Sequence, residues 1–264
     1  MEPEAILIDL DGVLHVGGIT VPGAVDTISY LRDNGYSFRV VSNSTRRSRE
    51  ALSRLLGSMG FDLPVSQIFT PSMAAASYLA GKGETRASIL TTPEVSAEMN
   101  HDGIQHSDEC VKFVVVGDAG DLFTYTVLNR AFRQLLGGAE LIALEKDRYW
   151  MGTDGMMLSA GPFVSALEYA SGKKAVVMGK PSRDFFMLAL DSMNARPGHS
   201  VMIGDDVVTD IGGAVANGLT GILVKTGKFR QDSLENAPML PARVISSIAD
   251  LPSLLASREL CPDP

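Results

Sequence analysis

The first apolar run of the chain closes on two carboxylates. Ala5 to Gly12 reads Ala-Ile-Leu-Ile-Asp-Leu-Asp-Gly. Side chains alternate across a strand, so Asp9 and Asp11 start on one side of it. Like charges that close repel unless a cation or a shared proton offsets them. Gly12 then lets the backbone turn where a side chain would be strained. An Asp-rich turn after a strand accounts for this segment equally well, so the choice rests on the rest of the chain.

Ser200 to Asp210 repeats the theme. The run Ser-Val-Met-Ile breaks at Gly204 into Asp205 and Asp206, with Asp210 four residues on. Two strands that end in carboxylates can meet at one edge of a parallel sheet, where open α/β sheets bind ligands. Gathered carboxylate oxygens make a hard site suited to Mg²⁺. Two other strand ends carry phosphate-binding chemistry. Phe38 to Val41 leads into Ser42, Asn43, Ser44 and Thr45, hydroxyl and amide groups that suit an anion at a strand-to-helix junction. The same residues can cap the helix expected from Arg49, and both roles are compatible. Val176 to Met178 leads through Gly179 to Lys180, an ordinary surface charge or, beside carboxylates and a phosphate, a compact cation on the phosphoryl oxygens.

Between these ends the chain alternates apolar runs with helical stretches, a pattern that predicts an α/β fold with a Rossmann-like parallel sheet. Helices are expected over residues 24–34, 49–59, 124–136, 182–193 and 210–217, three of them stopped by Gly35, Gly60 and Gly218. Strands are expected over 6–10, 38–41, 68–69, 86–90, 112–116, 141–143, 176–178, 200–203 and 221–224. Gly81, Gly83 and Gly172 border the middle. The expected organisation is a core of residues 1–80 and 174–264, with an α/β unit, 81–173, inserted into it.

Taken in order, these four segments resemble the haloacid dehalogenase superfamily. Asp9-Leu10-Asp11-Gly12 matches its first motif, Ser42 its second, Lys180 its third, and Gly204-Asp205-Asp206 with Asp210 its fourth. The large insert after the second motif is similar to the type IIA, NagD-like phosphatases. Pro22-Gly23-Ala24, Gly161-Pro162-Phe163, Gly179-Lys180-Pro181-Ser182 and Lys225-Thr226-Gly227-Lys228-Phe229 resemble the group of the haloacid dehalogenase-like hydrolase domain-containing protein 2 and the phospholysine phosphohistidine inorganic pyrophosphate phosphatase. Many relatives read Asn-Asn after the second-motif residue, where this chain has Asn43-Ser44.

The resemblance implies a Mg²⁺-dependent phosphatase acting on a small phosphorylated metabolite through an aspartyl-phosphate. It implies Asp9 as nucleophile and Asp11 as acid and base. Ser42, the N–H of Asn43 and Lys180 would hold the phosphoryl oxygens. Asp9, the backbone carbonyl of Asp11 and Asp205 would hold the metal, with Asp206 or Asp210 acting through water. It also implies that the insert caps the active edge, and it allows a homodimer through that cap. Tyr149, Trp150 and Asp154 are candidate cap residues touching the leaving group, although an amphipathic strand and turn explain them too. A phospho-Asp signalling module and a non-catalytic scaffold of the same fold are the competing classes. Dehalogenation fits less well, since the acid/base Asp11 suits phosphate chemistry.

Composition narrows the partners. The 264 residues carry a formal net charge of −8, which argues against a nucleic-acid or anionic-membrane surface. Arg46, Arg47 and Arg49 are expected to decorate the start of a helix. No apolar run approaches the roughly 20 residues that span a bilayer, and the acidic start has no leader character. Cys110 and Cys261 lack metal-ligand spacing and read as free thiols of a cytoplasmic protein. His15 reads as a half-buried loop histidine. His101, His106 and His199 read as surface groups, and Met156 and Met157 as core filler.

Overall fold

A computed structural model describes residues 2–152, 154–257 and 260. The chain divides into two compact units, residues 1–42, 51–69 and 180–264 in the first, residues 43–50 and 70–179 in the second. Among the described residues, the first unit holds a sheet of six strands in the order Arg243–Ile245, Thr220–Val224, Ser200–Gly204, Ala5–Asp9, Phe38–Val41 and Ile68–Phe69. Every pairing is parallel. Ala5–Asp9 and Ser200–Gly204 lie side by side at the centre, with Ile8 opposite Ile203. Both are buried along their whole length, which is why they read as continuous apolar runs rather than alternating ones. On one face Ile6, Ile8 and Ile203 pack with Ile28, Leu31 and Leu56 from the helices Ala24–Asp33 and Arg49–Ser58.

The second unit has its own parallel sheet, ordered Val176–Val177, Glu140–Ala143, Phe113–Val116, Arg86–Leu90 and Gln105–His106. Its core gathers Val114, Val116 and Leu141 with Leu135 and Val164 from the helices Tyr125–Leu136 and Ala160–Ser171. Relative to the expected insert, this unit also takes in the helix Pro71–Gly81 and residues 43–50. Val176–Val177 does not return to the first sheet as expected. It pairs with Ile142 and Ala143, and a strand of two residues carries too little pattern to declare its sheet.

The other corrections are local. The expected helix from Asp210 begins earlier, as a widened π turn over Val207–Gly212, and continues as a short α-helix, Gly213–Ala216. Met156 and Met157 are half exposed rather than core filler. They sit on a two-stranded hairpin, Tyr149–Gly152 against Gly155–Leu158, where apolar content alone does not ensure burial. His106 is at the surface as expected, and there its Nδ1 accepts from Ile89 N at 3.0 Å and its Nε2 lies 3.1 Å from Asp108. Cys110 is an exposed free thiol, and Cys261 and Thr153 lie outside the described residues. Among the described residues no helix is long and apolar enough to cross a membrane.

Candidate active site

Three carboxylates meet at the ends of the two central strands. Asp9 ends Ala5–Asp9, Asp205 follows Ser200–Gly204, and Asp210 comes back from the π turn. One oxygen from each lies within 4.8 Å of the others, and all three residues are buried. The π turn brings Asp210 back to this edge: its carboxylate accepts from Asp206 N at 3.1 Å, while its own N–H donates to Asp206 O. Widened turns of this kind are frequent at functional sites. The Asp206 side chain is spent elsewhere, accepting from Val208 N and Thr209 N as the helix N-cap.

Lys180 is the counter-charge. Its ammonium bonds to Asp9 and, at 2.7 Å, to Asp210, with only 6% of the residue exposed. Burial works against its charge, yet Asp210 and Asp9 hold its pKa above the usual lysine range. Burial pushes Asp9 well above the usual carboxylate range, and the Asp210 charge adds to this while Lys180 opposes it. Asp205 is pushed up to about 6, chiefly by burial and then by Asp210, against the hydrogen bond it accepts from Lys228 N. With all three carboxylates ionised, the Lys180 ammonium would leave the cluster negative, and the upward shifts of Asp9 and Asp205 reflect burial together with that excess. An all-oxygen donor set of that charge fits a hard divalent cation such as Mg²⁺.

Two glycines make the cluster compact. A Cβ on Gly12 would stand 1.8 Å from Asp205 Oδ2, and one on Gly227 would stand 2.0 Å from the same atom. Both have positive φ, +95° and +58°. Thr226 Oγ1 donates to Gly12 O, stitching the two loops together. Lys228 N donates to Asp205 Oδ2 at 2.6 Å. The Lys-Thr-Gly-Lys-Phe run thus shapes the site through its backbone and the Thr226 hydroxyl, a role its residue types did not announce. A cavity of about 280 Å³ opens beside Asp205, lined by Asp206, Thr209, Lys228 and Arg230 among others.

The remaining expected residues fall in two groups. In the first unit Ser42 is buried directly after Phe38–Val41, its N–H donating to Phe69 O. Asp11 stands apart from the three carboxylates, its side chain 64% exposed and 3.6 Å from His15 Nε2. In the second unit Asn43 lies against Gly179, whose Cβ would be 3.0 Å from the Asn43 oxygen. Tyr149 and Trp150 are on the exposed hairpin, with Asp154 in its turn.

Two arginines expected on a helix surface are engaged instead. Arg46 lies 5.2 Å from the Trp150 ring and donates to Asp118 at 3.1 Å. Arg49 is buried, bonded to Glu98 and Asp102 at 2.8 and 2.7 Å. Glu94 and Glu98 also accept from Ser48 N and Arg49 N, so carboxylates from the helix Pro93–His101 satisfy backbone N–H groups at the start of the helix Arg49–Ser58. The spacing of Glu94, Glu98 and Asp102, one per helical turn, was the available signal.

Comparison with known proteins agrees with this architecture. A family described as "Haloacid dehalogenase-like hydrolase" matches residues 6–105, and one described as "HAD-hyrolase-like" matches residues 177–251. The bovine haloacid dehalogenase-like hydrolase domain-containing protein 2 is 43% identical over 90% of this chain and 91% of its own length. The chain belongs to the haloacid dehalogenase-like hydrolases. Within that family it is also similar to the zebrafish phospholysine phosphohistidine inorganic pyrophosphate phosphatase, 37% identical over 97% of this chain and 95% of that one. The solved structure of NagD from E. coli superposes with a TM-score of 0.87 at 27% identity, covering 95% of this chain and 98% of that one. Together these place the chain among the type IIA phosphatases of the family.

Proposed function

We propose that the protein is a Mg²⁺-dependent phosphomonoesterase that works on a small phosphorylated metabolite through an aspartyl-phosphate on Asp9. The observation that carries this is the buried set Asp9, Asp205 and Asp210 around Lys180, three carboxylates to one buried ammonium. Phosphoryl transfer chiefly needs positioning and charge neutralisation. Asp9, the backbone carbonyl of Asp11 and Asp205 would hold Mg²⁺, which when bound neutralises charge on the phosphoryl oxygens. Asp210 acts through its bond to Lys180, holding that ammonium beside Asp9.

The steps follow from the residues. Asp9 Oδ forms a bond to phosphorus as the bond to the leaving oxygen breaks, and Asp11 gives that oxygen its proton. Asp11, now a carboxylate, takes a proton from water as the water oxygen bonds to phosphorus, and the Asp9 carboxylate is released with inorganic phosphate. Ser42 Oγ, Asn43 N–H and Lys180 hold the phosphoryl oxygens in place. Residues 81–173 are read as the insert that sets substrate choice, with Tyr149, Trp150 and Asp154 as its candidate contacts. A homodimer through this insert belongs to the same reading, supported by the exposed Met151, Met156 and Leu158, and light scattering tests it. For the activity itself, the test is release of phosphate from 4-nitrophenyl phosphate and a metabolite panel, with Mg²⁺ and with EDTA. Catalytic turnover separates an enzyme from a phospho-Asp switch or an inert scaffold, neither of which turns over.

A further inference from the structure

His15 is a buried imidazole with nothing to bond to. The residue is 7% exposed, and neither ring nitrogen has a hydrogen-bond partner among the described residues. Burying such groups unpaired is costly, so each calls for an explanation. The local backbone keeps it there. Leu14 N donates to Leu10 O at 3.0 Å, Gly12 N to His15 O at 2.7 Å, and Val21 N to Leu14 O at 2.9 Å. Val13 and Leu14 are wholly buried and anchor the loop. The chain thus folds back so that Nε2 faces Asp11 Oδ1 at 3.6 Å. Asp11 is itself largely exposed, with this imidazole beside its carboxylate.

We propose that His15 is a positioning residue for Asp11, donating Nε2–H to its carboxyl group once substrate is bound. The proposal rests on the acid/base reading of Asp11. The 3.6 Å gap exceeds a hydrogen bond by roughly half an ångström, within reach of a side-chain rotation of Asp11, and catalytic hydrogen bonds commonly tighten only in the substrate complex. With Asp11 ionised, Nε2–H bonds to the carboxylate. With Asp11 protonated, the same N–H bonds to the carbonyl oxygen and leaves the O–H aimed at the leaving group. A burial cost in the resting protein is exchanged for a carboxyl group held in one orientation, where an exposed side chain would otherwise sample several.

The test compares kcat/KM for phenyl phosphate and 4-nitrophenyl phosphate, which share a shape and differ in how much their leaving oxygen needs a proton. His15→Phe keeps the bulk and removes the donor; His15→Met replaces it where the ring is not accommodated. His15→Phe should lower kcat/KM for phenyl phosphate about tenfold and for 4-nitrophenyl phosphate by about twofold or less. His15→Gln, which retains a donor near Nε2, should recover most of the loss. In an Asp11→Asn background His15→Phe should change nothing further, since it acts through Asp11. The Tm of His15→Phe should equal or exceed that of the wild type, because two unpaired buried nitrogens are gone. Equal losses on both esters, no loss, or an additive double variant would overturn the proposal. If Asp11→Asn itself loses equally on both esters, the acid/base reading falls and this proposal with it. A selective loss in Asp11→Asn beside a silent His15→Phe overturns the positioning role alone.

Discussion

Asp9 and Lys180 carry the heaviest predictions at the scale of single residues. Asp9→Asn should fold normally and lose at least about a thousandfold in turnover, since an amide of the same size is a poor nucleophile. Circular dichroism beside a phosphate-release assay checks both halves. Asp205→Ala should remove the thermal stabilisation that Mg²⁺ gives the wild type, about 3 kcal/mol at a hundredfold excess over Kd, because it deletes one of three clustered carboxylates. Melting curves with Mg²⁺ and with EDTA measure this; an unchanged Mg²⁺ response would remove Asp205 from the ligand set. At this scale much of the site could be read from the chain, because Asp9, Lys180 and Asp205 each follow an apolar strand. The separate fates of Asp206 and Asp210 could not be read. They depend on a π turn that nothing in Val207-Val208-Thr209 signals.

Among the elements, the loops around Asp205 and the insert's hairpin are the sensitive ones. Gly227→Ala forces a Cβ onto Asp205 Oδ2 at a positive φ, so Mg²⁺ affinity and turnover should both fall, by tenfold or more on the scale of about 1.4 kcal/mol per decade. Gly18→Ala, with open space around it, controls for backbone strain and should keep both. Glu145 holds the start of the helix Ala160–Ser171, accepting from Ala160 N and Ser159 Oγ at 2.8 and 2.6 Å and from Asp147 N. Glu145→Ala leaves the buried Ala160 and Ser159 donors unpaired and should cost roughly 2–4 kcal/mol, read as a lowered midpoint in urea. The strands Phe38–Val41 and Arg86–Leu90 were legible as apolar runs, and the helix Tyr125–Leu136 because its apolar spacing agrees with its Thr124 cap. Val176–Val177 was not, because which sheet it joins is decided by long-range pairing.

For the whole molecule, the proposed function gives most of the chemistry to the first α/β unit and substrate choice to the second, each with its own core. Tyr149→Ala and Trp150→Ala should therefore reorder a panel of phosphorylated metabolites while changing the rate on 4-nitrophenyl phosphate by less than about threefold. A sheet-by-sheet division of this kind was visible as two runs of alternating strands and helices, whereas the part played by residues 43–50 in the second unit was hidden. The polar bonds that place them run from Ser48 and Arg49 to a helix some 46 residues away. The most direct measurement traps the covalent step. Asp11→Asn is mixed with 4-nitrophenyl phosphate and Mg²⁺, quenched in acid and weighed by mass spectrometry. The account predicts a burst of about one nitrophenolate per chain and one phosphoryl group on the peptide that contains Asp9, since departure of this leaving group needs little acid while hydrolysis of the intermediate needs the missing base. A folded Asp11→Asn protein that turns over without any adduct, or carries the phosphoryl group on another residue, would contradict it.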